Sequence, residues 1–520
     1  MSLVLPAPPR PRPGSLSPVL PVVAVIAALA LPTGPGGGAG PADALSALVV
    51  VLCGIRLLRQ RRRPLTRTAA IVLGLPVAGL APAALGAIAP GAGLTGLGRY
   101  LQLFVLVPAA VALLVRDRRD FRLVAWSFVG LAGWQGAVGV HQYVTGTGAS
   151  YQGRMIRAVG TFGPQDVMGM ATVVSFGVVC AVGIALGRST SVRQRIVALA
   201  CALGLLLPLA LSFSRGSWIA TAVTCVVQLA LAGLRRALRV GAVAIAAGVV
   251  LVGGFGGGTA VLQERVASIT EVTDAPDQSV LDRYALWEAA VGMWRERPLT
   301  GVGMKGFPEH RDTHASLALS SAGDTAGAGS GYHRQPLLSP HNMYLLVLSE
   351  QGLVGLLALA GSWCALLVCA LREWWRVREA PVPEEPMPGA PMSEAPMWGA
   401  PMPEAPMRGA SMREDPMPEA PMPEAPMRGN EPSSDVRQGR EPGGSTDGRG
   451  MDCALVVCGL LVWHLVDFLY ADIGGPSTVL TAIALGLAAW WGLTGSHVGR
   501  PGGSRRETPA PRRLEEAPAR

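Results

Sequence analysis

Charged residues are scarce in this chain, at 15% of 520 residues, while hydrophobic residues make up 50%. The mean hydropathy of +0.37 excludes an ordinary soluble protein with one or two cores. Lysine is almost absent, since Lys305 is the single one. The eight cysteines all lie in apolar runs and none forms a CxxC pair, so we predict neither a disulfide framework nor a zinc site.

Long apolar runs, by contrast, are abundant. A hydrocarbon core about 30 Å thick needs roughly 20 apolar residues per helix. The chain supplies such runs repeatedly, which predicts an all-α polytopic membrane protein with about twelve transmembrane helices. The predicted spans lie near residues 18–33, 42–58, 68–89, 98–115, 121–144, 164–187, 196–213, 216–234, 238–258, 342–371, 452–470 and 475–494.

Arginine clusters follow every second predicted span, namely spans two, four, six, eight and ten. Because positive residues are retained in short cytoplasmic loops, we predict that both termini lie in the cytoplasm. The net charge of +9 is spread over separate membrane-proximal loops, which argues against nucleic acid binding. The first run, which follows Arg10 and Arg12, also resembles a signal peptide. Its removal would break the regular alternation of arginine-rich and arginine-poor loops.

Two long polar segments interrupt the apolar runs. The predicted segments are membrane helices one to nine over 1–258, an extracytoplasmic loop over 259–340, membrane helix ten over 341–371, a cytoplasmic linker over 372–450, membrane helices eleven and twelve over 451–495, and a cytoplasmic tail over 496–520. The large loop is predicted to be partly helical, because apolar residues recur at helical spacing between Ser279 and Pro298.

The linker repeats a five-residue theme that begins with Pro-Met. Proline at this density blocks both helix and sheet, so we predict a disordered Pro/Met-rich segment. An alternative is a copper site, because thioethers bind Cu(I). The methionines have no His or Cys beside them in the repeats, which argues against that alternative.

Several arginines fall on the predicted outer face, where the topology discourages positive charge: Arg154, Arg157, Arg215 and Arg283. His341 lies at the same membrane edge. Guanidinium groups bind phosphate oxygens bidentately, so arginines beside a histidine indicate a site for a charged oxygen ligand such as a lipid diphosphate. The structural alternatives are a helix-end anchor for Arg215 and a helix cap for His341.

These motifs together resemble the O-antigen ligase and O-antigen polymerase superfamily. The residues that carry the resemblance are Ser214-Arg215-Gly216 at the start of a span, Arg283 with Trp287, the turn Pro298–Gly303, and His341-Asn342 followed by Gly352 and Gly355. Gly160-Thr161-Phe162-Gly163-Pro164 looks like a further element of that family. The resemblance covers spans six to ten and excludes the Pro/Met-rich linker.

The resemblance implies a metal-independent membrane glycosyltransferase of the cell envelope, without a cofactor. Such an enzyme passes a glycan from a polyprenyl diphosphate-linked donor to a glycan or cell-envelope acceptor hydroxyl, on the outer side of the cytoplasmic membrane. We assign Arg215 and Arg283 to the diphosphate and His341 to the acceptor hydroxyl. Arg154, Arg157, Lys305 and Asn342 are the further substrate-binding candidates, and Glu350 is a candidate to set the tautomer of His341.

A polytopic transporter or lipid-linked glycan flippase is the alternative function. Transport predicts charged residues within several spans near the membrane midplane, whereas here they gather at one face and in one loop. A non-catalytic scaffold that recruits partners through the linker predicts instead that His341 is dispensable. Ligase and polymerase share the same machinery and differ in the acceptor, so both stay open at the level of the sequence.

Overall fold

The computed structural model describes most of the apolar part of the chain. The described residues are 17–32, 40–60, 65–151, 156–163, 166, 168–187, 190–242, 278–316, 319, 323–327, 333–335, 337–379, 450–475 and 477–494. The Pro/Met-rich repeats, the tail over 496–520 and most of the predicted span 238–258 lie outside these residues.

Helices dominate the described residues. They are α1 (Leu20–Ala28), α2 (Pro41–Gln60), α3 (Arg67–Gly74), α4 (Val77–Leu85), α5 (Pro90–Leu101), α6 (Val107–Leu114), α7 (Arg118–Thr145), α8 (Gly169–Leu186), α9 (Val192–Leu211), α10 (Arg215–Ala232), α11 (Gln278–Glu296), α12 (Phe307–His314), α13 (Met343–Glu379), α14 (Met451–Asp467) and α15 (Thr478–Ala489). A π-helical turn, Gln102–Leu106, joins α5 to α6.

The prediction of a helical membrane protein is confirmed, since eight helices in the described residues are long and apolar enough to cross a membrane. The count of twelve spans stays a prediction. The first predicted span contains only the nine-residue α1. The last two correspond to α14, of 17 residues, and to a shorter apolar helix over Thr478–Leu493.

Local signals in the sequence explain where several of these helices begin. Asp117 precedes α7 and accepts hydrogen bonds from the amides of Arg119 and Asp120. Ser191 and Ser214 cap α9 and α10 in the same way. These side chains satisfy amides that have no partner within the helix, which fixes the helix starts. Helix α8 is buried along most of its length and packs against α7, α9, α10 and α14, so it forms the centre of the bundle.

A small antiparallel sheet lies outside the helices. Its strands are β1 (Ala149–Tyr151), β2 (Ile156–Arg157), β3 (Gly323–Gly327) and β4 (His333–Gln335), in the order β2-β1-β3-β4. The sheet therefore joins the loop after α7 to the loop before α13. This sheet was not predicted from the sequence, because strands this short show too little alternation of apolar and polar residues to detect.

Helix α13 is interrupted at Gly352, whose backbone is non-helical, at φ 66° and ψ −165°. The glycine turn, which we define as residues 298–306, packs into this break. The amides of Val302 and Gly303 donate to the carbonyls of Ser349 and Glu350, at 2.8 and 3.1 Å. The turn thus satisfies carbonyls that the helix break leaves without a helical partner.

The other side of the break is paired in the same manner. The amides of Leu353 and Val354 donate to the carbonyls of Pro298 and Leu299, at 2.9 and 3.2 Å. A Cβ atom at position 352 would lie 2.3 Å from the carbonyl carbon and oxygen of Leu299. The spacing between His341 and Gly352 in the sequence therefore reflects a nine-residue helical segment that ends where the glycine turn enters.

Gly352→Ala is expected to destabilise the protein by roughly 3 kcal/mol or more, because φ and ψ at this position suit only glycine and the methyl group also meets the Leu299 carbonyl. The thermal unfolding temperature of the purified protein in detergent tests this expectation. Gly98→Ala is the matched control, because nothing lies within 4 Å of a Cβ at position 98. Equal unfolding temperatures for the two variants would contradict the structural role of the break.

Candidate active site

Asn342 is the N-cap of α13. Its Oδ1 accepts a hydrogen bond from the amide of Leu345 at 3.0 Å, and its Nδ2 donates to the carbonyl of Leu469 at 3.1 Å. Leu469 belongs to the acidic turn, which we define as residues 467–472 at the end of α14. The buried Asn342 side chain therefore fixes the residue before it, His341, beside the acidic turn.

Two further contacts hold the same segment. The indole Nε1 of Trp287 on α11 donates to the carbonyl of Pro340 at 2.9 Å. The amide of Met343 lies 2.9 Å from the carbonyl of Phe468 and 3.0 Å from that of Ala471. His341 is thus placed between α11 on one side and the acidic turn on the other.

The backbone of His341 adopts φ 49°, in the left-handed region that few residues other than glycine occupy. The surrounding contacts impose this conformation, and the side chain is half-buried. Strained backbone that neighbouring structure enforces is concentrated at functional sites. The conformation supports a role for the imidazole beyond helix capping, which Asn342 already performs.

Arg283 faces the acidic turn from α11. Burial lowers the pKa of its guanidinium, and the nearby groups Asp472, Asp467 and Tyr470 oppose that change. The side chain is half-buried. A guanidinium held here, next to two carboxyl groups, keeps its charge and can donate hydrogen bonds to an oxygen ligand.

His341 interacts electrostatically with both Asp472 and Arg283. Burial lowers the pKa of the imidazole below its usual 6.5, the carboxylate of Asp472 opposes this, and the guanidinium of Arg283 lowers the pKa further. The imidazole is therefore neutral at neutral pH and able to accept a proton. His341, Arg283 and Asp472 form a group that we call the candidate catalytic cluster.

Arg215 is the first residue of α10, and its side chain is exposed. The following residue, Gly216, packs against the acidic turn, because a Cβ there would lie 3.1 Å from Cβ of Tyr470. Arg157 lies on β2, and the amide of the next residue, Ala158, donates to the carbonyl of Leu211 at 3.1 Å. Both arginines therefore lie at the same end of the bundle as the acidic turn. Arg154 lies outside the described residues.

Glu350 contacts the backbone of Lys305, which belongs to the glycine turn. The amides of Lys305 and Phe307 donate to the carboxylate of Glu350, the second at 3.4 Å to Oε1. The side chain of Lys305 is exposed. The suggestion that Glu350 sets the tautomer of His341 is not supported, because its identified hydrogen bonds come from the amides of Lys305 and Phe307.

The two carboxyl groups of the acidic turn, Asp467 and Asp472, were not predicted as site residues. A usable signal was present: ionisable residues within a membrane span are costly and mark functional positions, and Asp467 lies inside the predicted span 452–470.

An apolar groove runs along the outside of the bundle between α7 and α9. Its volume is about 630 Å³, and its lining includes Gly133, Gly136 and Pro208. Near its end, Tyr143 of α7 contacts Phe213 with 6.3 Å between ring centroids, and Phe213 stands two residues before Arg215. The groove therefore ends close to the start of α10.

His310 and His314 share α12, a spacing that also invites a metal interpretation. His314 Nε2 lies 2.9 Å from Oε1 of Glu296. Within the described ranges, no group of three or more His, Cys, Asp or Glu side chains is arranged to hold a metal ion.

Comparison with known proteins identifies one family. A family model described as O-antigen ligase matches residues 197–360, a range that runs from α9 through the glycine turn into α13. The matched range contains Arg215, Arg283, Lys305, His341 and Asn342. No curated protein matches the chain.

Proposed function

We propose that this chain is a member of the O-antigen ligase and polymerase superfamily and moves a glycan from a polyprenyl diphosphate carrier to an acceptor hydroxyl on the outer side of the cytoplasmic membrane. The family-model match over residues 197–360 supports this proposal. The family itself implies a membrane glycan ligase or polymerase. The finer proposal depends mainly on one observation, which is that His341 and Arg283 lie together beside Asp472.

The donor's diphosphate is the group that the arginines suit. Arg283 faces the acidic turn, and Gly216, next to Arg215, packs against the same turn. As the bond from the anomeric carbon to the diphosphate oxygen breaks, negative charge grows on that oxygen. Cationic donors already oriented at that position stabilise the charge without reorganising. We assign this role to Arg283 and Arg215, with Arg157 and Arg154 as further contacts to the diphosphate or glycan.

His341 acts as the general base in this proposal. The acceptor hydroxyl oxygen attacks the anomeric carbon, its proton passes to the imidazole, and the bonding pair leaves with the diphosphate. The resulting imidazolium is stabilised by the carboxylate of Asp472, which interacts favourably with protonated His341. Direct attack of this kind inverts the anomeric configuration. Asn342 contributes by fixing the backbone of the base.

The groove between α7 and α9 suits the carrier's hydrocarbon chain. Its apolar lining is open to the outside of the bundle, and it ends near Phe213 and the start of α10. A lipid lying there would bring its diphosphate toward Arg215. This arrangement favours a transferase over a flippase, because the candidate charges gather at one end of the bundle rather than along a path through it.

Asp472→Asn is expected to move the acid limb of the pH–rate profile to lower pH. In the wild type, transfer falls as the pH drops through the pKa of His341, which lies below 6.5. The substitution removes the carboxylate that raises this pKa, so the imidazole stays neutral at lower pH. The plateau rate should also fall, because the imidazolium loses its counter-charge. The measurement is kcat/KM for glycan transfer between about pH 5 and pH 8.

Asp312→Asn is the control for that experiment. Asp312 is exposed on α12 and pairs with its neighbour Arg311, so the profile should match that of the wild type. An acid limb that stays in place in Asp472→Asn, or moves to higher pH, would contradict the assignment of His341 as the base.

A further inference from the structure

A second group of polar side chains lies next to the candidate catalytic cluster. Nine buried side-chain nitrogen and oxygen atoms have no hydrogen-bond partner among the described residues, and four of them belong to Tyr100, Glu350, Asp467 and Asp472. The hydroxyl of Tyr100 and Oε2 of Glu350 are well enclosed, since each residue is 1% exposed. A buried polar atom without a partner costs about 1–3 kcal/mol, so a concentration of them calls for an explanation.

Tyr100 and Glu350 both border the glycine turn. Gly96 and Tyr100 are four residues apart on α5 and therefore share one face. A Cβ at position 96 would lie 2.9 Å from Cγ of Met304 and 3.0 Å from Cγ of Lys305. Glu350 accepts a hydrogen bond through Oε1 from the amide of Phe307, the residue that follows this turn, at 3.4 Å, and its Oε2 has no partner among the described residues.

Asp472 connects this pair to the candidate catalytic cluster. Its carboxylate interacts electrostatically with His341 and Arg283, and also with Tyr100 and Glu350. The cationic part of the site thus adjoins a part that contains carboxyl groups and a phenol, with Lys305 near Glu350. The two parts suit chemically different portions of one substrate.

The second part suits a neutral hydroxyl group better than an anion. Carboxyl groups at positions 350 and 472 disfavour phosphate, although Lys305 also lies near Glu350. A ligand that satisfies both unpartnered atoms can donate to an oxygen of Glu350 and accept from the hydroxyl of Tyr100. A sugar hydroxyl does both, and a neutral sugar adds no charge to a site already rich in carboxyl groups.

We propose that Tyr100 and Glu350 form a subsite for hydroxyl groups of the neutral sugar that is attached to the donor's diphosphate. The inference rests on the proposed function, because it takes the diphosphate to lie at Arg283. Bound in this way, the donor spans both parts of the site. Its diphosphate lies at the guanidinium, its first sugar lies at the phenol and carboxyl group, and the anomeric carbon between them faces His341. Tyr100 and Glu350 then act as specificity-determining residues.

The test is donor binding by Tyr100→Phe, measured on the full-length protein in lipid nanodiscs with two probes. One is sugar-free polyprenyl diphosphate, and the other is the polyprenyl diphosphate glycan fraction extracted from the producing cells. We expect the variant to bind the glycan-bearing probe about threefold to tenfold more weakly than the wild type and the sugar-free probe equally well. The thermal unfolding temperature should not fall, because the hydroxyl that is removed has no partner among the described residues.

Tyr344→Phe is the matched control. Its hydroxyl donates to the carbonyl of Leu465 at 2.7 Å, so removal should lower the unfolding temperature and leave the affinity for both probes unchanged. Unchanged binding of the glycan-bearing probe by Tyr100→Phe overturns the sugar subsite and indicates that the phenol serves only the fold or a bound water.

Arg283→Ala separates the sugar subsite from the proposed function. We expect it to weaken binding of both probes, whether or not they carry sugar. If Arg283→Ala binds both probes like the wild type, the diphosphate site fails, and the sugar subsite fails with it. If only Arg283→Ala has an effect, the diphosphate site stands and the sugar subsite is wrong.

Discussion

His341→Asn is expected to lower glycan transfer by about 10²- to 10⁴-fold, the range that a general base contributes. Asparagine is the chosen substitute because it tolerates the left-handed backbone that His341 adopts. The variant should therefore keep the fold and lose the proton acceptor. The measurement is the transfer rate with purified protein, polyprenyl diphosphate glycan and acceptor in lipid.

His314→Ala serves as the control for this variant. It also removes an imidazole from the segment between α11 and α13, but this one pairs with the exposed Glu296. A surface pair of this kind contributes little to stability, so activity should be close to that of the wild type. Transfer by His341→Asn at the wild-type rate would exclude general-base catalysis at this position and favour the scaffold alternative.

Arg283→Ala is expected to reduce transfer by about 10²- to 10³-fold, because one oriented donor to the developing charge is lost. Arg283→Lys should recover only part of the loss, since an ammonium group does not reproduce the bidentate geometry of guanidinium. The donor affinity should fall together with the rate, since the diphosphate is also present in the ground state. Steady-state kcat and KM with varied donor concentration separate these effects.

Arg295→Ala is the matched control on the same helix. Arg295 lies in the last turn of α11 and is exposed, whereas Arg283 is half-buried beside the acidic turn. We expect the control to transfer glycan at the wild-type rate. Equal loss in both variants would mean that α11 requires positive charge in general, which contradicts a specific contact of Arg283 with the diphosphate.

The sequence predicted the helical membrane fold because its determinants are local. A long apolar run predicts a membrane span, and an arginine cluster such as Arg59 and Arg61–Arg63 predicts a cytoplasmic loop. The loop helix and its end were also readable, because Pro298 follows the apolar pattern of α11. The short length of α1 and the break in α13 could not be predicted from the sequence, since both depend on the residues that pack against these helices.

The candidate site was predictable only in part, for a related reason. His341 and Arg283 stood out because titratable and charged groups are unusual at their positions in an apolar chain. Asp472 did not, because its importance arises from contacts with residues more than a hundred positions away in the chain. Gly352 was noted in the sequence as part of a motif, whereas in the structure it breaks the helix and admits the glycine turn. The break depends on the packing of Leu299 against Gly352, and the helical pattern of the sequence does not predict that contact.

A double-mutant cycle determines whether Arg283 and His341 act on one substrate in one site. Transfer rates are measured for wild type, Arg283→Ala, His341→Asn and the double variant under identical donor and acceptor concentrations. Groups that act as a unit give strongly non-additive losses, so we predict that the double variant is about as slow as the slower single variant. Losses that multiply, as for two independent sites, would contradict the account.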